Sequence, residues 1–424
     1  MTASSPPRIC IVGLGYVGLP LAVGLARHFP VTGYDITQKR IDELRSGHDR
    51  TGEVSRQALE QSTMKFTADD REIANSNVVI IAVPTPVDED NQPDLAVLKS
   101  ACTTVGKGLR QGTVVVFEST VYPGVTEEVC GPILARESGL TCGRDFFLGY
   151  SPERINPGDR EHTVERITKV IAGQTPAVVE TLKTVYGTVT NGNVFVAKNI
   201  QTAEAAKVIE NAQRDINIAF INEVTMIFQK LGLSAHDVLD AAGTKWNFLH
   251  FTPGLVGGHC IGVDPFYLAH RAMAVGHEPQ VILAGRRIND AMGFYIARRI
   301  DDRIPRRSRV LVLGLTFKEN VPDLRNSKVA DIVAGLQKAG HDITVHDPDA
   351  DPEEALEHYG IKIRRELDGL GPFDALVGAV AHIPYTKFST KDFATLVKPG
   401  GLVADVKAIW RQHELPGGMR RWEL

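Results

Sequence analysis

Short apolar runs punctuate the first half of the chain, each giving way to a glycine, a proline or a polar residue. Residues 8–12 (RICIV) stop at Gly13, and an apolar helical pattern follows from Val17 to about His28. Residues 31–35 (VTGYD), 77–83 (NVVIIAV), 113–120 (TVVVFEST) and 145–151 (DFFLGYS) read as further strands between helical segments. Strands that are apolar throughout are covered on both faces. The alternation therefore predicts a parallel sheet with helices on both sides.

The pattern changes after about residue 195. Residues 202–231 contain neither proline nor glycine, and Gly232 follows as a stop signal. A helix of about 30 residues spans about 45 Å, enough to connect two lobes and offer a surface for dimerisation. Ser234 with Asp237 three residues on has the spacing of a capping box for the next helix. Beyond the arginine-rich hinge at 301–309 the opening arrangement returns. Residues 309–317 (RVLVLGLTF) end a strand at glycine, 342–351 (DITVHDPDAD) end one in acid, and 373–380 and 401–407 supply two more. The predicted fold is α/β, with two Rossmann-like doubly wound domains joined by a long central helix. The boundaries fall at 1–196, 197–300 and 301–424. The second copy lacks the glycine fingerprint, so it is expected to bind something other than a dinucleotide.

At 424 residues the chain is too long for one ordinary core. Its 43% hydrophobic and 23% charged content is that of a soluble globular protein. A net charge of -4 gives no electrostatic case for nucleic acid as a partner. No apolar stretch is long enough to cross a bilayer, and the opening MTASSPPRIC carries no hydrophobic signal region. The five cysteines are scattered with no CxxC pair, so neither a metal site nor a disulfide framework is expected. A reducing cytoplasm fits that usage.

Gly13, Gly15 and Gly18 make GxGxxG within IVGLGYVGLP, with Tyr16 and Val17 between the second and third glycines. The motif follows a strand, opens a helix and precedes a strand that ends at Asp35, as in dinucleotide-binding folds. The glycines admit a pyrophosphate to the helix N-terminus. Asp35 can accept from the ribose hydroxyls and would repel a 2′-phosphate, which favours NAD over NADP; a nearby Arg40 leaves NADP open. Pro84 and Thr85 (VPTP) and Thr120 (ESTVYPG) follow strand ends and are candidates to face the cofactor. For Thr85, ordinary turn chemistry beside proline weighs equally.

The chemistry concentrates in residues 253–268 (PGLVGGHCIGVDPFYL). Asp264 and Pro265 read as the N-cap and first residue of a helix. That places Cys260 near a helix N-terminus, where the dipole favours thiolate. A lone cysteine is otherwise a small buried hydrophobe. Gly258 and Gly262 argue for a thiol presented to a ligand, whereas His259 is expected to point elsewhere. Glu204, Lys207 and Asn211 fall on one face of the long helix. They can supply an ammonium and an amide to an oxyanion; on spacing alone, a solvated or dimer-facing polar stripe is the stronger reading. Loop 151–162 carries Glu153 and Arg154 at its mouth. Loop 317–327 (FKENVPDLRNS) offers Lys318 and Arg325 to a phosphate, with surface salt bridging as the alternative.

Together these motifs resemble the UDP-glucose/GDP-mannose dehydrogenase family over nearly the whole chain. The resemblance implies an NAD-binding domain, a central dimerisation helix and a C-terminal domain that holds the UDP-sugar, in a homodimer or higher oligomer. It also implies oxidation of a sugar C6 alcohol to the carboxylate with two NAD reduced. In that reaction Cys260 forms first a thiohemiacetal and then a thioester, which water hydrolyses. Lys207 and Asn211 match the oxyanion-stabilising positions, and Asp264 the partner of the cysteine and water chemistry. Thr120 and Glu153 match residues near the water and sugar, and Arg325 joins the cofactor contacts. UDP-glucose dehydrogenases continue this loop as P-E-F-L-x-E-G; here PERINPG places Pro157 where they carry a second glutamate. That departure resembles the branch acting on UDP-N-acetylhexosamines in capsule, Vi-antigen and O-antigen synthesis. Arg154, Ile155 and Asn156 become candidates for sugar recognition, alongside Phe251, Gly257, Lys207, Asn211 and Lys318. Thr252 stands where relatives often carry a longer polar or basic residue. The substrate expected is UDP-N-acetylglucosamine, with its galacto and manno epimers and UDP-glucose as alternatives. A two-electron hydroxyacid-type dehydrogenase, or a non-catalytic nucleotide-binding protein, are the rival classes.

Overall fold

The computed structural model describes residues 6–154 and 166–424. The chain divides into two compact units, residues 1–210 with 266–277, and residues 211–265 with 278–424. The middle of the chain is thus shared between them, and the 32-residue helix Ile200–Leu231 contributes to both.

In the first unit the apolar runs form strands β1 (Ile9–Val12), β2 (Val31–Tyr34), β4 (Val78–Ile81), β5 (Val114–Phe117) and β6 (Phe147–Tyr150). Three further strands, β3 (Lys65–Thr67), β7 (Lys169–Gly173) and β8 (Val194–Val196), complete the sheet. The order is β3-β2-β1-β4-β5-β6-β7-β8. Its first six strands have the dinucleotide-binding order, with the switch point between β1 and β4. The expected parallel pairing holds except at β6 and β7, which are antiparallel. An antiparallel neighbour needs no helical crossover, and the run 145–151 contains no signal of that reversal. Ile9 and Ile11 of β1 and Val78 and Ile80 of β4 pack against Leu21, Leu25 and Leu182 of the flanking helices.

The second unit repeats this plan. Strands β9 (Arg309–Leu313), β10 (Asp342–His346), β11 (Ile363–Arg364), β12 (Phe373–Gly378), β13 (Val397–Asp405) and β14 (Arg420–Glu423) are ordered β11-β10-β9-β12-β13-β14. Every recorded pairing in this sheet is parallel. One face buries Val310, Val312 and Val377 under Ile332 and Leu336. The other packs Leu311 and Leu376 against Phe393 and Trp410. Trp410 stacks on Phe388 and donates its indole N–H to the Tyr385 carbonyl at 2.8 Å. Ser234 accepts from the Asp237 N–H, the serine half of the expected capping box. Among the described residues no helix is long and apolar enough to cross a membrane.

Candidate active site

In the first unit, Gly13 at the end of β1 has φ +94, and a Cβ there would lie 2.7 Å from the Ala82 carbonyl oxygen. A Cβ on Gly18 would lie 1.9 Å from the Gly13 oxygen, so this glycine lets the helix Gly18–Ala26 start against the strand. Gly15 differs: a Cβ there meets nothing within 4 Å, and the residue is exposed. Two glycines are therefore demanded by packing. The third leaves bare backbone facing open space at a helix N-terminus, where a pyrophosphate fits. Tyr16 and Val17, half-buried, complete the loop. The Asp35 carboxylate is aimed by the N–H groups of Leu14 (3.1 Å) and Thr37 (2.9 Å) and keeps a partly exposed edge.

Expected among the cofactor contacts, Arg40 instead braces this loop from beneath. It is 2% exposed. Its Nε donates to the Leu14 carbonyl at 2.9 Å and its Nη2 to Asp49 at 2.7 Å. Burial opposes ionisation of Asp49, yet Arg40 and the N–H groups of Val54 and Thr51 hold its carboxyl below the usual range. A guanidinium so committed is poorly placed to meet a 2′-phosphate.

The loops after β4 and β5 are stapled together. Thr85 Oγ1 donates to the Thr120 carbonyl at 2.7 Å, and Ser119 Oγ to the Val83 carbonyl at 2.6 Å. Pro84 is exposed, and Tyr267 donates its hydroxyl to the Pro86 carbonyl at 2.9 Å. Glu204, on the long helix, turns inward and accepts from the N–H groups of Gly124 (2.6 Å) and Thr126 (2.9 Å). Burial pushes its carboxyl up to about 7. It fastens the 118–124 loop.

Beneath Glu153 lies a charged cluster that the sequence alone does not disclose. Lys169, at the head of β7, has a fully buried ammonium 2.6 Å from Glu118, 3.0 Å from the Pro152 carbonyl and 3.4 Å from Glu153. Burial lifts the Glu118 carboxyl to about 7, against the pull of Lys169. Burial also disfavours the Lys169 cation, but Glu118 and Glu153 outweigh it and raise its pKa. The available signal was a charge at either end of apolar runs: Glu118 after VVVF and Lys169 before VIAG. Arg154 pairs with Glu210 at 2.7 Å and donates to the Thr168 carbonyl at 3.0 Å. Ile155, Asn156 and Pro157 lie outside the described residues. Lys207 is buried along its stem, and no carboxylate or carbonyl among the described residues holds its ammonium.

In the second unit, Asn211 donates its amide to Asp264 at 2.5 Å, and both are buried. The helix Asp264–Ala274 opens on Asp264. Cys260, partly exposed, lies in the turn feeding it, and its carbonyl accepts from the N–H groups of Val263 (3.1 Å) and Asp264 (2.9 Å). A Cβ on Gly258 would lie 2.7 Å from the Phe317 ring, so this glycine is needed for packing as well as for baring the backbone. Arg325, expected at the cofactor, forms a forked pair with Asp323, including a 2.5 Å contact. Phe251, Gly257 and Lys318 are partly exposed, and Thr252 is exposed.

The approach to the cysteine loop is held by a buried polar network with no sequence signature. Asn222 grips both backbone groups of Gly254, at 2.9 and 3.0 Å, and donates to Asn289 at 2.8 Å. Asn289 and Arg286 in turn reach Asp215 at 2.7 and 2.6 Å.

One glycine-cradled dinucleotide fold, a second without the cradle, and a cysteine loop in the same chain define a two-domain NAD-dependent dehydrogenase. The chain belongs to the UDP-glucose/GDP-mannose dehydrogenase family. The family's NAD binding domain matches residues 7–190, its central domain 201–291 and its UDP binding domain 311–412. The chain is 51% identical over 423 residues to Protein CapL of Staphylococcus aureus, covering 98% of this chain and 99% of that one. It is 48% identical over 409 residues to UDP-N-acetyl-D-glucosamine 6-dehydrogenase of Pseudomonas aeruginosa, covering 95% and 97%. The solved structure of a UDP-D-ManNAc dehydrogenase from Pyrococcus horikoshii matches with a TM-score of 0.87 at 29% identity, covering 98% of each chain.

Proposed function

We propose that this protein oxidises the C6 alcohol of UDP-N-acetylglucosamine to the uronate in a four-electron, NAD-dependent reaction. The observation that carries the reading is the cysteine loop with its buried Asn211–Asp264 pair, in a chain whose Gly13–Gly18 loop and Asp35 suit NAD. The epimer rests on the name of the 48% identical relative. UDP-N-acetylmannosamine is the second reading, from the name of the solved structure.

NAD, when bound, accepts the hydride. Gly15 offers bare backbone to its pyrophosphate and Asp35 a carboxylate to its ribose. Cys260 adds as thiolate to the C6 aldehyde left by the first oxidation, giving a thiohemiacetal. Loss of a second hydride gives the thioester, and water releases the acid and the thiol. Lys207 and Asn211 donate to the oxyanion in both steps. Asp264 orients the Asn211 amide, and Glu153 and Thr120 hold the water. Arg154, Asn156, Phe251, Gly257 and Lys318 contact the sugar nucleotide. Residues 1–196, 197–300 and 301–424 are the NAD-binding, central and UDP-sugar-binding parts. A thiol nucleophile must stay reduced, and a reducing cytoplasm suits that chemistry.

The long helix exposes Ile209, Phe220, Ile227 and Leu231, at separations compatible with one helix face. A second copy covers this stripe in a homodimer. Light scattering on Phe220→Glu should then report a monomer, and an unchanged mass would remove the stripe from the interface.

A panel of UDP-sugars assayed for NADH tests the reaction. Two NADH per UDP-N-acetylglucosamine is expected. One NADH per sugar would leave a two-electron dehydrogenase with a structural cysteine, and a preference for the manno epimer would select the second reading.

A further inference from the structure

The cysteine loop is fastened to the loop at residues 317–327, inside the segment matched by the UDP binding domain. Both peptide groups of Gly258 are engaged there. Its N–H donates to the Arg325 carbonyl at 3.2 Å, and its carbonyl accepts from Asn326 Nδ2 at 3.1 Å. The two glycines leave no slack. A Cβ on Gly257 would lie 2.6 Å from the Asn326 carbonyl oxygen, and one on Gly258 2.7 Å from Phe317. His259 continues the seam, with Nδ1 3.7 Å from Asp323 and its ring edge-on to Phe317. The 317–327 loop is itself stiff. Phe317 donates its N–H to the Asp323 carbonyl at 3.1 Å. The Tyr359 hydroxyl bridges Leu324 and Ser327 at 2.5 and 2.9 Å. Asn326 holds φ +52, a left-handed conformation that asparagine tolerates better than most residues.

We propose that Asn326 is a positioning residue for Cys260. By holding the Gly258 carbonyl two residues before the thiol, it makes the 317–327 loop and the cysteine turn one mechanical piece. A nucleoside diphosphate that settles on the loop thereby fixes the thiol. Loops joined through one backbone hydrogen bond, one side-chain amide bond and close glycine packing move together. The inference rests on the reading of Cys260 as nucleophile and of this loop as nucleotide-binding.

The test follows carbamidomethylation of Cys260 by iodoacetamide in the full-length protein. Peptide mass spectrometry separates Cys260 from the other four cysteines, and UDP serves as the probe. Asn326→Gly deletes the amide while keeping the left-handed backbone at no steric cost. Asn326→Asp keeps the shape but sets a carboxylate oxygen against the Gly258 carbonyl. In the unaltered protein, saturating UDP should change the Cys260 rate at least three-fold. In both variants the response should fall below 1.5-fold, with UDP affinity within three-fold of normal by calorimetry. In turnover, kcat should fall about ten-fold while KM for the UDP-sugar changes less than three-fold. No response to UDP in the unaltered protein overturns the coupling. A preserved response in Asn326→Gly overturns the role of the amide, and loss of UDP affinity beyond ten-fold makes Asn326 a binding residue instead. Failure of the nucleophile reading shows separately, as near-normal turnover in Cys260→Ser with the alkylation results unaffected.

Discussion

Replacing Lys169 by methionine removes the cation that lies between Glu118 and Glu153 and leaves most of the stem volume in place. Glu118 is fully buried. Removing one member of a buried ion pair costs about 3–5 kcal/mol, because the other charge stays desolvated. For a unit of this size each kcal/mol lowers Tm by about 2–4 °C, so a fall of about 10 °C is expected. The cost depends on pH in a defined direction. The Glu118 carboxyl is raised to about 7 in the folded protein, so the folded state holds a proton that the unfolded state releases from about 4.5 upward. Its contribution is thus fully present at low pH and is lost as pH rises through about 7. Without Lys169 the carboxyl rises further, so the variant should be less impaired at pH 6 than at pH 8. The double variant Lys169→Met/Glu118→Gln should recover most of the loss, because no buried charge remains beneath Glu153. All three tryptophans, Trp246, Trp410 and Trp422, lie in the second unit, so scanning calorimetry rather than tryptophan fluorescence follows this one. A single variant within about 2 °C of the unaltered protein, well under the shift that buried-pair cost implies, would refute the reasoning. So would a double variant no more stable than the single.

Cys260→Ser should lower overall oxidation by a factor on the order of 1000 or more, as losses of catalytic nucleophiles do. Calorimetry should still show NAD and UDP-sugar binding; near-normal turnover would remove the covalent step. Gly15→Ala and Gly18→Ala should part company. The first adds a methyl group to open space, so Tm should hold while NAD affinity falls about 10–100-fold, or about 1.4–2.7 kcal/mol. The second drives a Cβ to 1.9 Å from the Gly13 oxygen and should lower Tm; equal stability for the two would contradict the distinction. Asn222→Ala unties both backbone groups of Gly254 and should cost about 1–3 kcal/mol in urea unfolding followed by tryptophan fluorescence, and an unchanged midpoint would count against the clamp.

Both sheets were legible because their central strands carry unbroken apolar runs, ICIV, VVII and VVVF in the first and VLVL and ALVG in the second, a pattern that burial on two faces requires. Three of the four edge strands escaped because they lack that pattern. β3, β11 and β14 carry lysine, arginine or glutamate and look like loops, since one side of an edge strand meets water. The glycine loop was legible because three glycines at fixed spacing mark one turn, two of them demanded by packing and the third baring backbone. What could not be read was which residues pair across long separations. Asn222 meets Gly254 and Asn289 from 32 and 67 residues away, and Lys169 meets Glu118 across 51. Such pairs leave no periodicity. Arg40 shows the reverse hazard: five residues after Asp35 it reads as a phosphate contact, and only its burial against Asp49 shows what occupies it.

The two copies of the fold explain why one suits a dinucleotide and the other does not. Each first strand ends in a left-handed glycine, Gly13 at φ +94 and Gly314 at φ +90. Each glycine donates its N–H to the residue before an acid, Gly13 to Tyr34 and Gly314 to His346. The acids then diverge. Asp35 accepts two recorded N–H groups and keeps a partly exposed edge. Asp347 is fully buried and accepts from the N–H groups of Leu315, Thr316, Asp349 and Ala350, with His382 at 3.2 Å. Burial alone would raise the Asp347 carboxyl, but His382 and these N–H groups hold it well below the usual carboxylate range. A carboxylate whose oxygens are already taken has nothing to offer a ribose hydroxyl. The two left-handed glycines are alike in being closed over, since a Cβ would lie 2.4 Å from the Val380 side chain at Gly314 and 2.7 Å from the Ala82 carbonyl oxygen at Gly13. With the ribose contact consumed, the second copy presents the long 317–327 loop beyond the same strand end. That loop carries Lys318 and Arg325 and bears on Gly258, so its ligand chemistry follows from where this acid was buried.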